Sequence, residues 1–232
     1  MKFITFSFDD GVEDDVRLVH MMNKYGLKGT FNLNSGLMSR NLSWCYRGEK
    51  EVRHLNYFDY PNLYKGHEIA CHSYSHPRLE ELDKATLDNQ IRLDKKILEY
   101  LYDCKIRGMA YPCGSYNEDV WETLRNNQVE YCRTIADTHE FSMPKEPLIW
   151  HPTCHFKYER IMELAEMFVN NNSQEEMLFY IWGHSYELIT EEDWENFENL
   201  CQFLSGRKEI CYCTNAEILD VIDVGKKKTP NK

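Results

Sequence analysis

The 232-residue chain predicts an α/β fold around a parallel sheet, on three observations. Short aromatic and β-branched runs alternate with amphipathic helices along its length, the rhythm of strands joined by crossover helices. The run Met177–Gly183, M-L-F-Y-I-W-G, is apolar without alternation, as in a strand covered on both faces. Polar motifs at Asp9-Asp10, His72, Pro112, Asp137 and His184 fall at predicted strand ends, where β/α barrels carry their chemistry. An open doubly wound sheet gives the same rhythm, so periodicity alone leaves both architectures standing.

The elements follow in order. Residues 2–7 are read as a strand leading into Ser7-Phe8-Asp9-Asp10-Gly11, whose glycine permits a sharp exit. Residues 14–25 read as a helix, with Val16, Val19, Met22 and Tyr25 at a spacing of three and Gly26 as its stop. A short strand at 28–32 precedes an Asn/Ser/Tyr-rich segment, 34–64, too long for an ordinary connection and suited to binding surface. Glu68–Cys71 is a strand running into His72. The clearest helix is 86–102, where Leu87, Ile91, Leu98 and Leu101 form one apolar stripe. Then come a strand at 105–111, a helix at 118–126, a strand at 130–135 and an irregular stretch at 136–155. A helix at 159–169, the apolar strand, a helix at 191–204, a strand at 209–213 and a helix at 215–222 complete the chain. The expected organisation is a single domain over 1–224 and a polar tail over 225–232.

Composition narrows the function. A net charge of -11 speaks against nucleic acid as a partner. Nine cysteines, odd in number and without a C-x-x-C pair, form neither a zinc ribbon nor a disulfide scaffold and are expected to be reduced thiols. No stretch approaches the roughly 20 apolar residues of a membrane span, and no secretory signal is recognised, so no membrane partner and a cytoplasmic location are expected. Nothing in the pattern reports the oligomeric state.

Two motifs carry chemistry. Adjacent carboxylates at a buried strand end repel, and Asp9 and Asp10 need a metal, a cation or a shared proton. His72-Ser73-Tyr74-Ser75-His76 has a common zinc-ligand spacing, and Pro77 favours a turn there over a helix. Asp10, His72 and His76 together make a two-imidazole, one-carboxylate set. It suits a catalytic divalent ion, zinc first, with cobalt, manganese, nickel or iron as alternatives.

Ser-Phe-Asp-Asp-Gly, His-Ser-x-x-His, Tyr-Pro-Cys-Gly and Trp-Gly-His, in this order from Ser7 to His184, resemble the motifs of the polysaccharide deacetylases, carbohydrate esterase family four. The resemblance implies a distorted (β/α)7 barrel that hydrolyses an acetyl group from an N-acetylated, or O-acetylated, sugar with a bound metal. It makes Asp10, His72 and His76 the metal ligands, Asp9 the base towards the attacking water and His184 the acid towards the leaving amine. The backbone N–H of Cys113, after Tyr111 and Pro112, would assist the carbonyl.

The sequence departs from that family in two places. Many members have an arginine two residues before the motif proline, where Ala110 stands here. Arg133, at the end of the next strand, is proposed as the substitute cation for Asp9. Asp137 stands without the neighbouring tryptophan that the family often shows. Tyr111, Pro112, Cys113, Asp137, Trp150, His155 and Trp182 are carried as substrate contacts, and the remaining histidines, His54 among them, as structural or surface residues. A cyclic-amide or ureide hydrolase with the same site, and a carbohydrate-binding relative without catalysis, are the alternatives.

Overall fold

The computed structural model describes residues 1–38 and 42–228. The architecture is a distorted (β/α)7 barrel, a curled parallel sheet wrapped by helices. Its strands are β1 (Lys2–Asp10), β2 (Gly29–Leu33), β5 (Glu68–Cys71), β6 (Gly108–Ala110), β7 (Tyr131–Arg133), β8 (Cys154–His155), β9 (Met177–Gly183) and β10 (Ile210–Tyr212). They run in the order β7-β6-β5-β2-β1-β9-β8, with β10 also on β1. Every pairing in this sheet is parallel.

The curl closes through one segment. Trp150 bridges to Arg133 of β7, and β8 further along the same stretch pairs with Ile181 and Trp182 of β9. The sequence reading of 136–155 as irregular missed β8, a strand too short to show a period.

β1 is the axis of the sheet. It pairs with β9 along Lys2–Phe8 and shares its other edge between β10 (Lys2–Ile4) and β2 (Phe6–Asp10). Ile4, Phe6 and Phe8 face the helices and pack with Leu18, Phe31 and Phe197 in the main core. Phe3 points to the interior with Tyr131, Trp150, Leu178 and Tyr180. On that inward face Thr5, Ser7 and Asp9 follow, all buried. α6 (Asn215–Lys228) plugs the floor of the barrel. Thr5 donates to Asn215 Oδ1 (2.9 Å), Asn215 Nδ2 donates to Tyr180 (2.6 Å), and the Ala216 N–H meets Glu68 Oε2 at the helix start (2.9 Å).

The helices are α1 (Asp15–Lys24), α2 (Lys84–Tyr102), α3 (Glu118–Asn126), α4 (Ile161–Asn170), α5 (Glu191–Leu204) and α6. α2 begins earlier than its apolar stripe suggests because Asp83 accepts the Ala85 and Thr86 N–H groups as a cap. α5 starts where read, with Thr190 and Asp193 in a reciprocal capping box. α6 runs past 224 to Lys228, so the first half of the expected tail is helical; residues 229–232 lie outside the described ones.

The 34–64 segment contains an antiparallel hairpin the sequence reading did not find, β3 (Ser43–Tyr46) and β4 (Lys50–Arg53). Arg47 and Gly48, at φ 52° and 74°, make its turn. Trp44 and Tyr46 alternate inward, half-buried, while Ser43 and Cys45 are exposed.

Candidate active site

β5, β2, β1 and β9 lie in that order in the sheet and end at one rim, which sets His72, Asp9, Asp10 and His184 together. Asp10 takes a positive φ of 77° as the chain leaves β1. Its Oδ1 lies 3.5 Å from His72 Nε2 and 3.6 Å from His76 Nε2. The His72–His76 stretch is a turn, as Pro77 predicts: Ser73 and His76 have positive φ (63° and 60°), and His76 N–H donates to Ser73 Oγ (3.1 Å). His72 donates Nδ1–H to the Ala110 carbonyl (2.9 Å), which leaves the Nε2 lone pair facing Asp10. Burial pushes the His72 imidazolium down to about 4 against the pull of Asp9 and Asp10, so the ring is neutral at pH 7. The donor set therefore fits a divalent cation.

Asp9 points the other way. Burial alone would raise its pKa, but Arg133, His72 and His184 outweigh burial and bring it to about 2. The fully buried Arg133 guanidinium bonds Asp9 Oδ2, and Asn32 Nδ2 donates to Oδ1 (2.9 Å). Arg133 lies over the Trp182 ring at 4.6 Å, and the Trp182 indole N–H donates to Asp137 Oδ1 (2.7 Å). Asp137 Oδ2 accepts the His155 backbone N–H (2.9 Å). Asp137 and Trp182, read from sequence as substrate contacts, thus form a chain behind Arg133.

His184 turns Nε2 towards Asp9 Oδ2 (3.9 Å) and Asp10 Oδ2 (4.0 Å). Its Nδ1 lies 3.4 Å from Glu187 Oε2, which also accepts the His184 backbone N–H (3.3 Å). Burial lowers the His184 pKa, yet Glu187, Asp10 and Asp9 together raise it to about 9. His155 Nε2 reaches Glu187 Oε2 at 2.7 Å. His155, His184 and Glu187 form a second cluster of ligating groups, with the Glu187 carboxylate between the two imidazoles. Because His155 Nδ1 accepts the Lys157 N–H (3.1 Å), its Nε2 carries the hydrogen donated to Glu187.

The other residues named from sequence are placed differently. Trp150 is 1% exposed, edge-on to Tyr131 and Tyr180 in the barrel interior, and offers no face to a sugar. Tyr111 is buried, its hydroxyl donating to Leu148 O (2.7 Å). Pro112 is buried, whereas Cys113 is exposed at φ 56° on the rim. His54, read as structural, lines a cavity beside Asp10 and His76.

Sequence reasoning missed Asn32, Glu187 and Asp94. Asp94, on α2, is buried and accepts the His72 N–H (3.1 Å) and the Ser35 N–H (2.8 Å), holding the ligand turn from behind. An aspartate in the apolar stripe of a helix was the available signal. A cavity of about 540 Å3 between α4 and α5 has none of these carboxylates and imidazoles in its lining.

Two carboxylates and three imidazoles stand together at the C-terminal strand rim, where parallel β/α barrels carry their active sites. The family description "Polysaccharide deacetylase" matches residues 1–132, and the chain belongs to that family, which removes acetyl groups from carbohydrates. YlxY of Bacillus subtilis (strain 168) is 23% identical over 128 residues, 55% of this chain and 36% of that protein. The bifunctional xylanase/deacetylase of Pseudobutyrivibrio xylanivorans is 23% identical over 124 residues, 53% and 18% of the two chains. This chain thus spans about a third or less of the curated relatives it matches. Among solved structures, the Bacillus subtilis peptidoglycan deacetylase PdaC superposes with a TM-score of 0.59 at 17% identity, covering 98% of this chain and 94% of that one. The family 4 carbohydrate esterase of Streptomyces lividans in complex with acetate gives 0.57 at 15%, covering 90% of each. A family pseudoenzyme from Bacillus anthracis gives 0.55 at 15%, covering 94% and 66%. Enzymes and a pseudoenzyme share the fold, so activity must be argued from the site.

Proposed function

We propose that the chain is a divalent-metal-dependent hydrolase that removes an acetyl group from an N-acetylated or O-acetylated sugar. The observation that carries this reading is the approach of His72 and His76 to Asp10 within 3.6 Å, beside a separate carboxylate held by its own cation. Asp10, His72 and His76 hold the ion, zinc first by their nitrogen-rich chemistry. Lewis-acid activation is what such an ion supplies when bound.

The chain's own groups divide the proton work. Asp9, kept ionised by Arg133, takes a proton from the water that adds to the acetyl carbon. The Cys113 N–H, on the turn fixed by Tyr111 and Pro112, stabilises the oxygen as charge gathers there. His184, kept protonated by Glu187, gives its proton to the leaving nitrogen, and the C–N bond breaks to release acetate and a free amine. The values of about 2 for Asp9 and about 9 for His184 lie on opposite sides of neutrality, as a base and an acid in one site require. Asp137 and Trp182 act through Arg133 as positioning residues.

The test is acetate release from N-acetylglucosamine, chitooligosaccharides and acetylated xylan, with and without chelator. Chelator-sensitive release that vanishes in Asp10→Ala supports the proposal. A protein that carries one ion yet releases acetate from nothing would sink it and favour the cyclic-amide or binding-only reading.

A further inference from the structure

Beside Asp10 and His76 lies a cavity of about 270 Å3, lined also by Leu37, Trp44, His54 and Tyr186. It falls just below the range of about 300–1,000 Å3 that drug-sized ligands occupy, and suits one small ring. Its wall is aromatic and continuous. His184 meets Tyr186 at 5.0 Å between ring centroids, Tyr186 meets Trp44 edge-on at 5.4 Å, and Trp44 meets His54 at 4.9 Å. Such rings give an apolar ring face a surface to pack on, with polar edges for its hydroxyls.

The β3–β4 hairpin that supplies Trp44 is fastened across the rim between β1 and β9. Towards β1, the Glu13 N–H donates to Arg53 O (2.9 Å), Leu55 N–H donates to Gly11 O (2.9 Å), and Lys50 pairs with Asp14 (2.6 Å). Towards β9, Lys50 Nζ donates to Leu188 O (3.2 Å), and the Tyr46 ring packs edge-on against Tyr186 at 5.0 Å. On the β5–β6 side, Cys113 is exposed and the Arg78 side chain is 54% exposed. A polymer deacetylated at an internal residue must leave the site in two directions, and the hairpin closes one of them.

Resting on the deacetylase reading, we infer that the Trp44–Tyr186 cavity takes a single acetylated sugar ring, free or at a chain terminus, and excludes internal residues of a polymer. The ring stacks against Trp44 and Tyr186 with its acetyl group beside Asp10, and any remaining chain leaves over Cys113 and Arg78.

The experiment incubates the metal-loaded protein with N-acetylglucosamine, with chitooligosaccharides of two to six units, and with 4-nitrophenyl acetate, which has no sugar ring. Mass spectrometry then maps the deacetylated unit. The expected result is one acetate lost per oligosaccharide, always from a terminal unit and independent of chain length. Trp44→Ala is expected to lower the ratio of kcat/KM for the sugar to that for the aryl ester about tenfold, with Trp44→Phe restoring most of it. Loss of acetate from internal units overturns the inference, as does an unchanged ratio in a folded Trp44→Ala protein. Hydrolysis of the aryl ester without any sugar turnover overturns it too. Acetate from no substrate at all overturns the deacetylase reading instead.

Discussion

Removing the Arg133 guanidinium tests how the site keeps Asp9 charged. Both groups are buried, and of the groups that hold Asp9 ionised Arg133 is the strongest, followed by His72 and His184. In Arg133→Met, of similar reach and no charge, burial, the largest influence on the carboxylate, loses its strongest opponent and is offset only by His72, His184 and the Asn32 hydrogen bond at 2.9 Å. Breaking a buried ion pair by deleting one partner costs about 3–5 kcal/mol. At about 2–4 °C per kcal/mol for a chain of this size, the melting temperature should fall by about 6–20 °C. The Asp9 pKa should rise from about 2, since the cation that opposes burial is gone. In the role proposed for it, Asp9 works as a base only when ionised, so the acid limb of the kcat–pH profile should move to higher pH. Scanning calorimetry and acetate release between pH 4 and 9 measure both effects. A melting temperature and acid limb that stay where the wild type has them would refute the assignment of Arg133.

The acid can be probed through its leaving group. His184→Ala should cost about 10²–10⁴ in kcat on an N-acetyl substrate and far less on an aryl acetate, whose leaving group needs no proton; equal losses would contradict the role. Glu187→Gln removes the largest influence raising His184, so the basic limb of the pH profile should move to lower pH; an unmoved limb would break the link. Burial raises the Asp15 carboxyl from 3.8 to about 7 despite hydrogen bonds from Ser185 (2.5 Å) and Tyr64 (2.6 Å). The folded chain therefore keeps a proton that the unfolded chain releases. That stability is complete below about pH 4 and lost as pH rises through 7, so denaturant midpoints should fall less between pH 5 and 8 in Asp15→Asn. Gly183→Ala places a Cβ 2.1 Å from the Phe156 ring and 2.9 Å from His155 Nε2. It should lower stability and disturb the His155–Glu187 contact, visible as a lower melting temperature together with a shifted basic limb.

Local signals carried much of this architecture. Each long helix announced itself by its stripe or cap, and the apolar Met177–Gly183 run became β9. The four motifs meet at one rim because each closes a strand, and strand ends are legible in a parallel fold. Partnerships formed across space were harder to see. Glu187 looks like an ordinary turn residue until His155 is folded against it, and Asn32 matters only through its pairing with Asp9. Trp150, in the stretch read as irregular, and Trp182, in the apolar strand, were both read as substrate contacts, yet one fills the interior and the other backs Arg133. The hairpin had a visible signal, alternation in Ser43-Trp44-Cys45-Tyr46 before Arg47-Gly48, hidden by the polar residues around it.

The central place of β1 has a consequence for how the chain matures. β1 pairs early with β2 but acquires its other partners late: Asp9 and Arg133 are 124 positions apart, and Thr5 and Asn215 are 210. During vectorial synthesis the two carboxylates emerge long before the cation that steadies one of them. They stay in water until the last third of the chain supplies β9 and then the floor. Such long-range pairing makes for slow folding and a long exposure of the aromatic face of β1. A chain that has made β1 but not yet β9 is the species most in need of a chaperone, and the rim is complete only once β9 and α6 are in place.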